Sequence, residues 1–248
     1  MSKKCAVILA GGEGKRMKSD IPKPMNAVLG KPMLRWVIDA VREAGVEDIC
    51  VVTGYKKEVT EDYLASLPFT VETAYQSERL GTGHAVMMAR AFLEEKGGDV
   101  VILCGDAPFM DSDTIRDSFM QHDAQGCSAT VISAMLDDPT GYGRIVRHND
   151  GTLDRIVEHK EANDEIRAIR EVNSGGYWFD TADLLSVLDS ITANNSAKEY
   201  YLPDALTLLL RDGRKVGAFT AASADTVLGA NDPQQLEGLN RIAVAKGC

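Results

Sequence analysis

Short runs of apolar residues alternate along the chain with segments in which apolar residues recur every three or four positions. The first pattern is typical of buried strands, and the second of helices that pack on a sheet. The runs predict strands at 5–9, 49–53, 70–74, 99–104, 128–135, 172–179 and 215–219. The periodic segments predict helices at about 32–45, through 63–64, at 82–92 with Thr82 as the cap, at 112–122, 181–191 and 202–210, and from 233. This alternation indicates βαβ units and a largely parallel sheet.

One part of the chain departs from this alternation. Residues 144–147 and 153–157 are strand-like and flank the pair Asp150-Gly151. Asp-Gly between two strands is a strong signal for a β-hairpin. The chain contains no internal repeat, low-complexity tract or flexible linker, so we expect residues 1–248 to form one domain.

Composition narrows the class of protein. The formal net charge of −10 argues against a nucleic acid as partner, because a nucleic-acid backbone repels an acidic surface. The five cysteines are scattered and form no C-x-x-C pair, which argues for a reducing compartment rather than a disulfide framework or zinc site. Apolar runs stay well short of the ~20 residues of a membrane span. We therefore expect a cytoplasmic protein that does not enter a membrane.

The first candidate site lies where the first strand ends. Leu9 and Ala10 lead into Gly11, Gly12 and Gly14, where backbone N–H groups can approach an anion because no Cβ blocks them. Arg16 adds a forked phosphate donor, and Lys23, between two prolines, adds a mobile point charge.

Two familiar glycine-rich motifs do not fit this segment. A dinucleotide-binding G-x-G-x-x-G would need glycine at Met17, and a P-loop would need serine or threonine at Arg16. The remaining interpretation is a different kind of triphosphate-binding turn.

A second candidate site follows the strand predicted at 99–104. Gly105-Asp106 closes that strand at its carboxyl end, which is the edge where open α/β sheets bind ligands. A carboxylate there suits Mg²⁺, which binds through one or two protein oxygens together with phosphates and water.

With these segments in view, the chain resembles the sugar-1-phosphate nucleotidyltransferases over nearly its whole length. The family's glycine-rich motif and following Pro-Lys correspond to Leu9–Lys23. Segments 76–85, 137–147, 156–160, 171–175 and 199–204 are similar to the N-acetylglucosamine-1-phosphate uridyltransferases within that family. The resemblance implies an α/β, Rossmann-like (GT-A-like) fold, with a mostly parallel mixed sheet flanked by helices and an inserted β-hairpin for the sugar.

The resemblance also implies a role for each matching residue. It divides the chain into a nucleotide-binding half to about residue 110, a sugar-binding half over 111–231 and a terminal helix over 232–248. Arg16 and Lys23 would be catalytic. Nucleotide contacts would come from Leu9, Ala10, Gly11, Gly12, Gly14, Gln76, Gly81, Thr82 and Gly105. Sugar contacts would come from Gly143, Glu158, Asn173 and Tyr201, and Mg²⁺ would be held by Asp106 and Asn231.

The reaction implied is transfer of a uridylyl group from UTP to N-acetylglucosamine 1-phosphate, giving UDP-N-acetylglucosamine, a cell-wall precursor, and pyrophosphate. Relatives commonly carry a β-helix acetyltransferase after this domain; no hexapeptide repeat follows here, so we expect this chain to lack acetyl transfer. Without that β-helix we expect a monomer or weak homo-oligomer.

Three alternatives remain open. Gly11, Lys15 and Pro24 also suit enzymes that transfer thymidylyl or uridylyl groups to glucose 1-phosphate. A non-catalytic sugar-nucleotide sensor could share the fold, although it would have no need of Arg16, Lys23 and Asp106. An NAD-dependent oxidoreductase is opposed by Met17 and by the lack of an acidic residue at the end of a second strand.

Overall fold

The structure is a computed structural model that describes residues 3–248. Its strands are β1 Lys4–Leu9, β2 Ala27–Val28, β3 Lys31–Pro32, β4 Asp48–Thr53, β5 Glu72–Tyr75, β6 Asp99–Cys104, β7 Ala129–Met135, β8 Arg144–Arg147, β9 Leu153–Val157, β10 Glu171–Asp180 and β11 Val216–Thr220. Its α-helices are α1 Met33–Glu43, α2 Lys57–Ala65, α3 Thr82–Met88, α4 Arg90–Lys96, α5 Ser112–Gln125, α6 Asp164–Arg167, α7 Thr181–Leu188, α8 Pro203–Arg211 and α9 Pro233–Ala245.

Nine of the strands in residues 3–248 form one mixed sheet, and the predicted α/β class is confirmed. The order along the sheet is β11-β7-β10-β6-β1-β4-β5. β1 pairs in parallel with β4 and β6, β4 with β5, and β7 with β11, whereas β10 is antiparallel to both of its neighbours. The predicted hairpin is also present: β8 and β9 pair antiparallel, and β8 joins β10 at the sheet margin.

Alternation along the central strands supplies a core on each face of the sheet. Cys5 and Val7 of β1 pack into the cluster that contains α3, α4, α7 and α8, whereas Ala6 and Ile8 pack against α1 and α5. Trp178 of β10 is fully buried on the second face, where its indole N–H donates to the Ser118 hydroxyl at 3.0 Å. Helices thus pack on both faces of the sheet, and the carboxyl ends of the parallel strands are the expected place for a site.

The predicted helix at 82–92 differs from the observed structure in two ways. It is divided at Ala89 into α3 and α4, and Thr82 is the first helical residue rather than the cap, a position that Gly81 takes. The Thr82 hydroxyl instead accepts a hydrogen bond from the backbone N–H of Leu202 at 3.0 Å. The Thr82 side chain, which the local sequence pattern predicts as a helix cap, is therefore used in a contact with a residue distant in sequence.

Other boundaries move by a few residues. α5 begins after Asp111, which caps it, and continues to Gln125, while α7 stops at Leu188. The terminal helix begins as predicted, with the Asp232 carboxylate accepting from the backbone N–H of Gln235 at 2.9 Å. Among the helices of residues 3–248, none combines the length and apolar character needed to span a bilayer.

Candidate active site

The predicted site residues gather at one edge of the sheet. β1, β4 and β6 all end there because they are parallel. β10 runs the opposite way, so its first residues lie at the same edge. Ends of parallel strands and the start of an antiparallel one therefore surround a common space, which lies between the predicted nucleotide-binding and sugar-binding segments.

The glycine-rich turn after β1 presents unpaired donors. The backbone N–H groups of residues 11–14 donate to no acceptor among residues 3–248. Gly14 has a φ of +66°, and a Cβ there would come within 2.8 Å of the Lys23 side chain. Glycine is thus required both for the left-handed turn and for the close approach of Lys23. The turn has the character of an anion-binding loop.

Two cations of this region differ in their surroundings. The Arg16 guanidinium is exposed and has no hydrogen-bond or ion-pair partner in the described part of the chain. The Lys23 ammonium is largely buried, forms an ion pair with the Asp106 carboxylate and donates to Asn231 Oδ1 at 2.7 Å. Arg16, Lys23, Asp106 and Asn231 line one cavity of about 320 Å³.

The two predicted metal ligands converge. Asp106 and Asn231 both contact the Lys23 ammonium, so their oxygens reach one point at which a cation already lies. Gly229 makes this possible, because a Cβ there would lie 2.8 Å from the Asp106 carbonyl oxygen. No cluster of three or more acidic, histidine or cysteine ligands occurs in residues 3–248. One carboxylate and one amide oxygen fit Mg²⁺ only if phosphate oxygens and water molecules complete the coordination shell of the ion.

A cavity of about 290 Å³ beside the glycine turn contains most of the predicted nucleotide contacts. It is lined by Leu9, Gly11, Gly12, Gln76, Gly81 and Thr82, and by Lys23 and Asp106 at one end. The other three predicted contacts, Ala10, Gly14 and Gly105, are not among the residues that line it. Ala10 is buried, with its N–H bonded to the Val52 carbonyl, and Gly105 donates to the Leu9 carbonyl at 2.9 Å. Gly105 also leaves space there, since a Cβ would lie 3.1 Å from that oxygen.

Gln76 is fixed by its neighbours. Its side-chain nitrogen donates to the Gly81 carbonyl at 3.0 Å and contacts His84 Nδ1 at 3.1 Å. Because a carbonyl can only accept, the amide nitrogen must face Gly81, and His84 Nδ1 then accepts the second N–H. Both donors of Gln76 are used within the protein, and Oε1 stays available as an acceptor.

The segment after Gln76 folds against the chain near residue 200. Gly81 has a φ of +107°, and a Cβ there would lie 2.6 Å from the Tyr200 carbonyl oxygen. That carbonyl accepts from the Gly83 N–H at 2.7 Å. Glycine is therefore needed for the close packing that aims the Gly81 carbonyl at Gln76.

Three predicted sugar contacts form a row across neighbouring strands. Arg144 pairs with Val157 on β9 and with Val172 on β10. One residue nearer the cavity, the same antiparallel register places Gly143 beside Glu158 and Asn173. The Asn173 N–H donates to the Gly143 carbonyl at 2.9 Å, and a Cβ on Gly143 would lie 3.2 Å from Glu158 Oε1. Strand register thus assembles these residues.

The row faces a cavity of about 270 Å³ that Tyr201 also lines. The Glu158 carboxylate has no hydrogen-bond or ion-pair partner in the described chain, and burial, followed by the charges of Glu161 and Asp204, raises its pKa above the usual value. Asn173 donates to the Tyr177 hydroxyl at 2.7 Å, and its Oδ1 accepts from the Gly175 N–H at 2.9 Å. One amide N–H of Asn173 stays available.

A bulge in β10 orients Asn173. The pairing of β10 with β7 shifts between Asn173 and Gly176, and Gly175 there has a φ of +77°. A Cβ on Gly175 would lie 2.8 Å from the Cys104 sulfur. Bulges commonly redirect a side chain beside a site, and this one places Asn173 at the cavity.

Several contributors were not predicted from the sequence. Cys104 and Glu199 line both the nucleotide cavity and the sugar cavity, and His84 fixes Gln76. Cys104 could have been proposed from its position before Gly105-Asp106, whereas no local signal marks Glu199.

The chain is similar to known proteins over most of its length. The model of the nucleotidyl transferase family matches residues 5–226. "Bifunctional protein GlmU" of Acetivibrio thermocellus is 45% identical over 96% of this chain and 51% of its own length. The protein of that name from Geobacillus thermodenitrificans is 43% identical over 100% of this chain and 53% of its own length. The chain thus spans about half the length of these relatives.

Solved structures share the fold at lower identity. UDP-glucose pyrophosphorylase in complex with UDP-glucose has a TM-score of 0.80 at 20% identity, covering 99% of this chain and 100% of that chain. The apo form of a UDP-glucose pyrophosphorylase has a TM-score of 0.81 at 19% identity, with both chains covered completely. The fold agrees with the family model, and the predicted family is confirmed: the chain belongs to the nucleotidyl transferase family.

Proposed function

We propose that this chain transfers a uridylyl group from UTP to N-acetylglucosamine 1-phosphate, forming UDP-N-acetylglucosamine and pyrophosphate. The observation that carries the proposal is the junction of two cavities. The cavity of Gln76 and the glycine turn adjoins the cavity of Glu158 and Asn173, and Leu9, Thr82, Cys104 and Glu199 line both. A base in the first and a sugar in the second would bring their phosphates together near Asp106 and Lys23.

Gln76 supports a pyrimidine with an N–H at ring position 3. Its donors are satisfied by Gly81 and His84, so its free Oε1 can only accept. Uracil and thymine offer N3–H to such an acceptor, whereas cytosine held in the same position presents an unprotonated N3, which cannot donate to the buried carbonyl. Leaving a buried acceptor unsatisfied costs about 1–3 kcal/mol. We therefore expect UTP and dTTP to be preferred over CTP.

The row of Gly143, Glu158 and Asn173 supports a hydroxyl-rich ring with an amide substituent. Neither the Glu158 carboxylate nor the second amide N–H of Asn173 has a partner in the described chain, so the first can accept sugar hydroxyls and the second can donate to an acetamido carbonyl. The buried Gly143 leaves room for the ring, and its own backbone N–H has no acceptor within residues 3–248.

The chemistry requires alignment and charge neutralisation rather than a protein nucleophile. An oxygen of the sugar phosphate attacks the α-phosphorus, a new P–O bond forms, and the bond to the β-phosphate oxygen breaks as pyrophosphate leaves. The attacking phosphate is already ionised at neutral pH, so no general base is needed. Arg16 and the free amides of residues 11–14 would hold the β- and γ-phosphates, and Lys23 the α-phosphate, where negative charge develops.

Asp106 and Asn231 would hold Mg²⁺, since their oxygens converge on one cation position. A bound Mg²⁺ would neutralise phosphate charge and help align the reacting groups. The amide of Asn231 adds a ligand without a second negative charge, which suits a site that must also admit two phosphate-bearing substrates.

The test is pyrophosphate release by the purified chain with Mg²⁺ and each pairing of UTP, dTTP or CTP with N-acetylglucosamine 1-phosphate or glucose 1-phosphate. We expect the greatest kcat/KM for UTP with N-acetylglucosamine 1-phosphate, and loss of release with EDTA. Preference for dTTP with glucose 1-phosphate would favour the alternative substrate pair. Absence of release with every pairing would favour a sensor that binds without turnover.

A further inference from the structure

The guanidinium of Arg144 is an unusual buried charge. Only 1% of the residue is exposed, and no carboxylate in residues 3–248 lies within ion-pairing distance of it. Its partners are the Tyr142 carbonyl, the Arg167 carbonyl at 3.2 Å and His159 Nδ1 at 3.4 Å, while its Nε has none. Burying an arginine guanidinium without a carboxylate partner costs free energy of folding. A functional reason for this buried charge is therefore expected.

The contact with Tyr142 determines where Gly143 points. The C=O of Tyr142 and the N–H of Gly143 belong to one peptide group, and residues 3–248 contain no cis peptide bond. In a trans peptide these two groups point in opposite directions. Since the Arg144 guanidinium holds the C=O, the Gly143 N–H points away from that guanidinium, and Gly143 itself lines the sugar cavity.

The other contacts act on the neighbouring strand. His159 follows Glu158 directly, and Arg144 fixes its ring through Nη2, which also bonds the carbonyl of Arg167 at the end of α6. The backbone of Arg144 pairs with Val157, the residue before Glu158, and with Val172, the residue before Asn173. One residue therefore holds, by side chain or backbone, the immediate neighbours of all three members of the row.

We propose that Arg144 is a positioning residue for the sugar 1-phosphate: its buried guanidinium orients the Gly143 N–H and the Glu158 carboxylate without touching the substrate. The proposal rests on the proposed function of the row. Its specific consequence is that loss of Arg144 weakens sugar recognition and leaves nucleotide recognition intact, because the nucleotide cavity lies on other elements.

The test compares steady-state kinetics of Arg144→Met and Arg144→Lys with wild type. We expect KM for the sugar 1-phosphate to rise about 10- to 100-fold, the range for losing a hydrogen bond to a charged group, while KM for UTP stays within about twofold. Lysine keeps the charge but carries its donors on a single nitrogen, which cannot match acceptors that Nη1 and Nη2 of arginine reach separately, so we expect it to rescue little.

Arg147→Met is the matched control. Arg147 lies on the same strand and forms a double hydrogen bond with Glu171, at 2.8 Å and 2.6 Å, away from the row. The Arg147→Met variant should lower the melting temperature without changing KM for the sugar 1-phosphate. If Arg144→Met does not fold, His159→Leu removes one acceptor of Arg144 and should raise the sugar KM by a smaller factor.

Three results would overturn the positioning role. They are an unchanged sugar KM in the folded Arg144 variants, an equal rise in both substrate KM values, and the same sugar defect in Arg147→Met. Wild-type turnover separates this failure from failure of the proposed function: if no sugar 1-phosphate supports turnover, the proposed function is wrong and the positioning role is lost with it.

A different observation concerns Lys23, whose ammonium lies at the point where the oxygens of Asp106 and Asn231 meet. A divalent cation bound to those oxygens would need the space that the ammonium occupies. Two cations at so short a distance repel each other strongly. We infer that Lys23 competes with the metal in the substrate-free protein, so that the site opens when nucleotide phosphates draw the ammonium away. This inference rests on the same metal site as the proposed function.

The test measures Mn²⁺ binding to the substrate-free chain from the EPR signal of the free ion. We expect Lys23→Met to bind Mn²⁺ about 10-fold more tightly than wild type, and Asp106→Asn in that background to abolish the gain. Arg16→Met removes an equal charge from the same cavity without touching either ligand, and should have a much smaller effect. Affinity in Lys23→Met no higher than in Arg16→Met, or no binding in either, would contradict the inference, whatever the turnover assay shows.

Discussion

At the scale of single residues, the Glu158 carboxylate is buried enough for its pKa to be perturbed, and it has no hydrogen-bond or ion-pair partner within residues 3–248. Burial raises its pKa, and the charges of Glu161 and Asp204 raise it further, against a small opposing effect of Lys160. A carboxylate whose pKa is raised by its surroundings, and which lines a cavity, is typical of a ligand-binding site.

This environment predicts a pH effect on sugar binding. As pH falls through the raised pKa of Glu158, the carboxylate becomes protonated and loses acceptor capacity, so KM for the sugar 1-phosphate should rise. Asp204→Asn removes one charge that raises this pKa, and the transition should move to lower pH. The exposed Asp117→Asn variant is the control. A shift in both variants, or in neither, would contradict the assignment of Glu158.

Arg16 offers a second test at this scale, because its exposed guanidinium has no partner among residues 3–248. If it stabilises the departing pyrophosphate, Arg16→Ala should lower kcat about 10²- to 10³-fold. The side chain of its neighbour Lys15 is 80% exposed, and the Lys15 ammonium lies 3.9 Å from Glu13 Oε2, which makes a weak surface pair. Lys15→Ala should therefore retain nearly full turnover, and wild-type kcat in Arg16→Ala would remove Arg16 from the mechanism.

At the scale of elements, hydrophobic pattern predicted most strands and helices, and Asp150-Gly151 predicted the hairpin of β8 and β9. It did not predict that β10 inserts antiparallel between β6 and β7, nor the bulge after Asn173. Periodicity reports which face of an element is buried, whereas strand order and bulges depend on pairing between distant segments.

The same reasoning applies to the site. Residue types alone indicated the glycine turn, Arg16, Lys23 and Asp106, and the family resemblance supplied the base and sugar contacts. The bond between Lys23 and Asn231 joins residues 208 positions apart, so no local signal could reveal it. The buried state of Arg144 was equally hidden, because an arginine on a strand is usually solvated.

The ion pair between Arg147 of β8 and Glu171 of β10 gives a prediction about stability. Burial alone would raise the pKa of Glu171, but Arg147 and Ser133 donate to its carboxylate and hold the pKa below the usual value. The ionised carboxylate therefore stabilises the fold above its unfolded pKa, and this contribution is lost as pH falls through the lower folded pKa.

Glu171→Gln should thus lower the free energy of unfolding by about 1.5–3 kcal/mol near neutral pH, and by less in acid. Urea denaturation at both pH values measures the difference. Asp137→Asn alters a surface pair with Arg170 and is the control, expected to change little. An equal loss for Glu171→Gln at both pH values would show that charge is not the cause.

At the scale of the whole molecule, the chain carries a net charge of −10 and yet places Arg16 and Lys23 in one cleft, close in sequence to a turn whose backbone amides donate to no acceptor within residues 3–248. A local group of cations and amide donors on an acidic protein attracts phosphates to that cleft, which suits small anionic substrates. The nucleotide and sugar cavities adjoin along Leu9, Thr82, Cys104 and Glu199, at the edge that the parallel strands define.

The central claim is that one sugar nucleotide spans both cavities, and the crystal structure of this chain with UDP-N-acetylglucosamine and Mg²⁺ tests it most directly. We expect the uracil N3–H on Gln76 Oε1, the sugar ring against Gly143, Glu158 and Asn173, and the diphosphate beside Lys23 and Asp106. A sugar nucleotide bound in the opposite orientation, or outside these two cavities, would contradict the account.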